Sequence, residues 1–325
     1  SRNATKDLTT GSPMKLILGF GIPLLFGMLF QQFYNMMDTI IVGKFLGVSA
    51  LASVGATGSI NFMIIGFCMG VCNGFAIPVA QRFGAKDEHG MRKFVANSVW
   101  LSIIFAVVMA VLVCVFCRQI LELMNTPEDI IDGSYSYIFV IFLGIPATYM
   151  YNLLSGIMRS LGDSKTPLYL LIFSSILNII LDLLSIIVLK MGVAGAAWAT
   201  VIAQAVSGFC CLGVIWKKFP ILHVQREEWQ PDKLCILNLC NMGIPMGLQY
   251  SSTAIGSVII QAAVNSLGSV AVASVAAAVK INMFLCCPYD AMGSTMATYA
   301  GQNVGAGKFD RLKQGEKSCT LLGLV

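Results

Sequence analysis

Hydrophobic and polar positions fall in long blocks along this chain, apolar runs following one another with short polar breaks between them. The runs cover residues 15–43, 52–79, 94–117, 134–158, 167–189, 193–216, 235–265 and 270–299, and a ninth begins near Lys317 and is still apolar at Val325. Each complete run exceeds the roughly 20 residues an α-helix needs to cross about 30 Å of hydrocarbon at 1.5 Å per residue. They are continuously apolar instead of alternating, which predicts helices and argues against barrel strands. The first run is too long for a signal-peptide core and no small-residue cleavage site follows it, so it is expected to remain as a helix. The pattern predicts an all-α polytopic membrane protein with eight helices and the start of a ninth.

Composition agrees, with 57% hydrophobic and 11% charged residues against roughly 25% charged in soluble domains. Lysine and arginine in short loops stay on the cytoplasmic side. With a cytoplasmic N-terminus, 17 of them fall inside, only Lys44, Arg118 and Lys190 fall outside, and Lys280 lies within a run. The net charge of +5 therefore describes orientation in a lipid bilayer and carries no expectation of a nucleic-acid partner. Eleven cysteines lie almost entirely in apolar runs, where they act as small hydrophobes. Cys114 and Cys117 form a C-x-x-C with no second pair and no nearby histidine, so no metal, redox or disulfide role is expected. No segment is large enough for a soluble catalytic domain, and the chain is not expected to be an enzyme.

The sequence repeats itself. "GIP" at 21–23 returns at 243–245, "LGVSALASV" at 46–54 returns as "LGSVAVASV" at 267–275, Asn61 answers to Asn282, and "QRFGAK" at 81–86 answers to "QNVGAG" at 302–307. The offset stays at 221 or 222. Six helices make one copy, so both copies enter the membrane in the same direction, related by an axis along its normal. The expected organisation is an N-terminal six-helix lobe (1–216), a cytoplasmic linker (217–234) and a partial second lobe (235–325) holding helices 7, 8 and the start of 9. The chain is expected to be truncated after about eight to nine helices of two parallel six-helix repeats.

Three acids, Asp38, Asp182 and Asp290, lie inside apolar runs, where each costs about 2.5 to 3.5 kcal/mol at a helix centre and usually faces an interior or a water path. Asp38 lies roughly 9 Å below the outer end of its helix, and Asp182 and Thr200 roughly 12 Å below theirs. Asn178 precedes Asp182 by four residues and shares its helix face. Two carboxylates, a carboxamide and a hydroxyl at one depth suit a hard cation such as Na⁺. Two ionised acids in low dielectric repel, so a proton is an equal occupant. Lys280 and Asp290 lie ten residues apart on the eighth helix, too far for a direct pair. Gly66, Gly70 and Gly74 read as helix packing, and Pro23, Pro78, Pro146, Pro245 and Pro288 as sites of bending or of freed carbonyls.

The stretches "QQFYNMMDTIIVGKFLGVSALASVG", "GIMRSLGDSKTPLY" at 156–169 and "GQNVGAGKFDR" at 301–311 resemble the multidrug and toxic compound extrusion (MATE) family, in its prokaryotic DinF-like branch. The R-S-L-G-D-S-K-T-P run is the most specific, with Gly162 stopping one helix and Thr166-Pro167 starting the next. The resemblance implies a twelve-helix secondary transporter that exports cationic or amphipathic organic compounds in exchange for Na⁺ or H⁺, working by alternating access as a monomer in the cell membrane without other cofactors. It implies a cation site at Asp38, Asn178, Asp182 and Thr200, the four residues that depth and a shared helix face bring together. Gln31, Asn35, Gln204, Gln249, Tyr250 and Asn282, with Lys280 and Asp290, are the candidates to line a substrate cavity. Two other readings stand beside it. A flippase for lipid-linked sugars needs a cationic cavity, whereas Lys280 is the sole cation within a run. An intramembrane aspartyl protease needs a G-x-G-D within a span, and "SLGD" ends at Asp163 in a loop.

Overall fold

A computed structural model describes residues 5–124, 126–265, 267 and 269–325; between 261 and 277 it describes side chains only at 263, 267, 274 and 275. Every regular element among the described residues is helical. The chain runs through α1 (Pro13–Leu46), α2 (Val48–Ala56), α3 (Gly58–Gly84), α4 (Glu88–Val115), α5 (Cys117–Leu123), α6 (Ile131–Leu143), α7 (Ile145–Ser160), α8 (Lys165–Leu183), α9 (Val193–Lys218), α10 (Lys233–Asn265), α11 (Ser269–Gly305) and α12 (Phe309–Leu324). Among the described residues five helices are long and apolar enough to cross a membrane, and six if α6 and α7 count as one span bent by 47°. That bend falls at Gly144 and Pro146: proline at the start of α7 fits a first turn, whose N–H groups have no partner within the helix.

Local chemistry explains where the helices stop. Gly47, with φ 90°, turns α1 into the short α2. The Asp87 side chain accepts from the Gly90 N–H at 3.0 Å and caps α4. Gly162 ends α7 at φ 84°, and the Asp163 Oδ1 accepts from the N–H groups of Lys165 and Thr166 at 3.1 Å each, so α8 begins one residue before the expected Thr166. The ninth helix begins at Phe309, not near Lys317. Its first two turns are polar and amphipathic, so hydropathy alone places the start too late.

The repeat in sequence is a repeat in space. A Cβ on Gly84 would run into the Gln302 carbonyl, and a Cβ on Gly305 into the Gln81 carbonyl. Residues 81 and 302, and 84 and 305, are equivalent at an offset of 221. The helices α3 and α11 therefore cross at a local two-fold axis, close enough that only glycine fits. Likewise Gly74 faces the Gly243 backbone while Gly21 faces the Thr295 side chain, a second related pair. Beyond these points the seams differ. The seam between α3 and α10 continues through Gly70 against Met246 and Gly247 to the Ser251 hydroxyl, which donates to the Met63 carbonyl at 3.0 Å.

Candidate functional site

Asp182 sits one residue before the end of α8, where the helix widens into a π-helical turn over Leu184–Val188. Such turns are rare and frequent at functional sites. Just ahead of that turn the Asp182 side chain lies between α1, α8 and α9, where it is 0% exposed. One turn earlier, the Asn178 carboxamide donates to the Tyr34 hydroxyl at 3.0 Å and to the Thr200 hydroxyl at 3.2 Å. Thr200 in turn donates to the Ala196 carbonyl at 3.2 Å. The Asp38 and Asp182 carboxyl groups lie within reach of each other, and Tyr137 of α6 stands beside both.

The four residues expected at one depth are thus brought together. The arrangement is rich in acceptors and poor in donors. Asp38 Oδ1, Asn178 Oδ1 and both oxygens of Asp182 are buried without a donor among the described residues. Buried acceptors left without a donor are costly, about 1 to 3 kcal/mol each and more when charged. Two carboxylates in contact repel as well. A proton shared between the acids relieves the repulsion, and a hard cation satisfies the oxygens; the donor set, oxygen throughout, fits Na⁺.

The residues expected to line a cavity are more scattered. Tyr250 lies in the α3/α10 seam, where its hydroxyl accepts from the Asn73 carboxamide at 3.4 Å. Gln204 is half-buried on the α9 face that carries Thr200, and its Oε1 has no donor among the described residues. Asn282 borders an open hollow of about 510 Å³ whose other walls are apolar residues of α11. Gln31 is half-buried, while Asn35, Gln249, Lys280 and Asp290 are exposed. Lys280 and Asp290 form no ion pair with described residues.

Three residues were missed. Tyr34 precedes Asp38 by four residues, a spacing that shares a helix face and could have revealed it. Tyr137 lies far away in sequence and leaves no local signal. Arg159, counted above among loop charges, instead directs its guanidinium among Cys72, Tyr151, Cys211 and Tyr250, with no acid among these neighbours.

With this geometry the chain belongs to the MatE family, whose model matches residues 23–184 and 245–325, one stretch on each copy of the repeat. It is 32% identical over 305 residues to the probable multidrug resistance protein YoeA of Bacillus subtilis strain 168, covering 91% of this chain and 65% of that protein. It is 30% identical over 308 residues to the probable multidrug resistance protein YpnP of the same organism, covering 94% and 68%. A solved multidrug resistance MATE family transporter in an outward-facing conformation matches with a TM-score of 0.90 at 25% identity, covering 97% of this chain and 70% of that one. The chain therefore spans 65 to 68% of the length of these two relatives.

Proposed function

We propose that the full-length protein is a secondary multidrug efflux antiporter of the cell membrane, exporting cationic or amphipathic organic compounds in exchange for Na⁺ or H⁺. Its N-terminus faces the cytoplasm, its two lobes flank linker 217–234, and it works as a monomer. The observation that carries this reading is the Asp38 and Asp182 pair with its unpartnered oxygens; the names of the relatives support the exported class. Ion binding is coupled to export only if the ion and the exported compound prefer different states of the two lobes. Asp38 on α1 and Asp182 on α8 supply that difference, since drawing their oxygens around one cation fixes the position of α1 against α8 and α9.

The test is ethidium efflux from cells carrying the full-length protein, with Na⁺ present or replaced and the proton gradient intact or collapsed. Efflux that follows one gradient and is lost in Asp38→Asn identifies the antiporter and its ion; efflux at the parent rate in Asp38→Asn refutes the site. A second reading, the flippase for lipid-linked sugars, draws on Arg159, an interior cation that suits a diphosphate. Absence of efflux under every condition, with correct membrane insertion, favours it.

A further inference from the structure

We propose that residues 6–11, ahead of the first helix, form a clasp that locks the two copies of the repeat together on the face carrying most of the lysines and arginines. The segment is irregular, bent over residues 8–11, and touches both copies. Toward the first, the Lys6 N–H donates to the Leu161 carbonyl at 2.8 Å, and the Lys6 carbonyl lies where a Cβ on Gly162 would sit. Toward the second, the Leu8 N–H donates to Gln302 Oε1 at 2.8 Å. The Leu8 carbonyl accepts from Asn303 at 3.3 Å and from Arg311 at 3.2 Å. Lys308 donates to the Thr9 carbonyl at 2.9 Å, and Arg311 to the Gly11 carbonyl at 2.9 Å.

Three details mark a built device. Asp7 shapes the segment by accepting from the Thr9 N–H at 2.8 Å and its hydroxyl at 2.5 Å. Leu8 is 1% exposed in a small core of its own, with Ile17, Phe20 and Leu24 of α1 and Tyr299 of α11. Gln302 is the hub, holding Leu8 through its oxygen and the Ser160 carbonyl of α7 through its nitrogen at 2.9 Å. The R-S-L-G-D-S-K-T-P run is where these threads meet: Ser160 and Leu161 offer the carbonyls, Gly162 leaves the space, and the Ser164 hydroxyl donates to the Phe20 carbonyl at 2.8 Å.

Parting α11 from α3 and α7 on this face requires Gln302 to leave Ser160 and Leu8 to leave its core. The clasp therefore sets how often this face opens. It rests on the alternating-access reading, and its test needs no transport. In inside-out vesicles carrying the full-length protein, Thr295→Cys places a thiol where Thr295 is 0% exposed against Gly21. Labelling by a membrane-impermeant maleimide is measured against the same protein without that cysteine. Adding Leu8→Ser and Arg311→Gln removes burial and charged hydrogen bonds, with labelling expected to rise about tenfold or more, and peptides covering residues 6–11 to exchange their amide hydrogens freely. Free exchange with unchanged labelling overturns the clasp. If that protein fails to fold, Lys308→Met removes only the Thr9 hydrogen bond and the attraction to Asp7 and should raise labelling severalfold at an unchanged unfolding temperature; no rise overturns the proposal. Asp182→Asn losing efflux while clasp variants label normally leaves the antiporter standing and the clasp refuted.

Discussion

α1 and α10 are the same helix written twice, yet they do different work. Both carry G-I-P at equivalent positions, and both place its glycine against a neighbour from the other copy. Some sixteen residues on, α1 presents Asp38 to Asp182, whereas the equivalent positions of α10 hold Ile259 and Ile260, 65% and 63% exposed. The duplication thus kept the glycine contact in both helices, whereas the acid of α1 is replaced by isoleucine in α10. At the closest crossing, where Gly84 and Gly305 meet opposing backbone, glycine is preserved in both copies, whereas the counterpart of Gly74 is Thr295. A buried acid is costly unless a partner or an ion meets it, and Ile259 and Ile260 carry no such cost.

The comparison breaks most sharply at the acid pair. Asp182→Asn in the full-length protein should abolish ion-coupled efflux, with membrane insertion retained, and drug efflux by the substituted protein checks it. Next come the seams. Gly74→Ala drives a Cβ into the Gly243 backbone, whereas Gly21→Ala meets the Thr295 side chain, which can rotate away. Overpacking of this kind costs about 1 to 3 kcal/mol, and the first substitution should sit at the upper end and the second at the lower when thermal unfolding is compared. A smaller loss is expected from Ile260→Asp. It should destabilise by on the order of 2 kcal/mol, less than an acid at the bilayer centre, and should add no second ion to the stoichiometry read from isotope binding.

The smallest effect concerns the segment ahead of α10, the counterpart of the clasp ahead of α1. That linker docks on α4 through charge: Glu228 accepts from Arg92 at 2.9 Å and meets His89 at 3.0 Å, and Asp232 pairs with Lys93 at 2.7 Å. Burial works against the charged Glu228, but the Gln225 backbone N–H, Arg92 and His89 outweigh it and hold the carboxyl below its usual value. Lys93 does the same for Asp232. A carboxyl held low when folded stabilises fully above its unfolded pKa, about 4, and that contribution fades as pH falls through the lowered value. Acidification below about pH 4 should release the linker, read as a change in fluorescence where Trp100 donates to the Trp229 carbonyl at 2.8 Å; Glu228→Gln should loosen the docking already at neutral pH.

The order of the spans, the repeat and the four oxygen-bearing residues at one depth were all legible in the amino-acid sequence. Hydrophobic length and helical rise are properties of each segment alone, and membrane insertion leaves little freedom to hide an acid. Other features were not legible. Tyr137 comes near the acids only because α6 packs against α9. Arg159 follows the charge pattern of a loop residue, and its inward direction depends on space left by α3, α9 and α10. Leu8 reads as an ordinary residue ahead of a helix until Gln302, 294 positions away, closes on it. The sequence by itself determined which segments form long apolar helices and how far along them their polar groups sit, because hydropathy and rise per residue act locally. Only the tertiary structure decided which groups meet across α1, α8 and α9, and which segment clasps the two copies, because those contacts join residues whose neighbourhood is set by helix packing and leaves no local pattern.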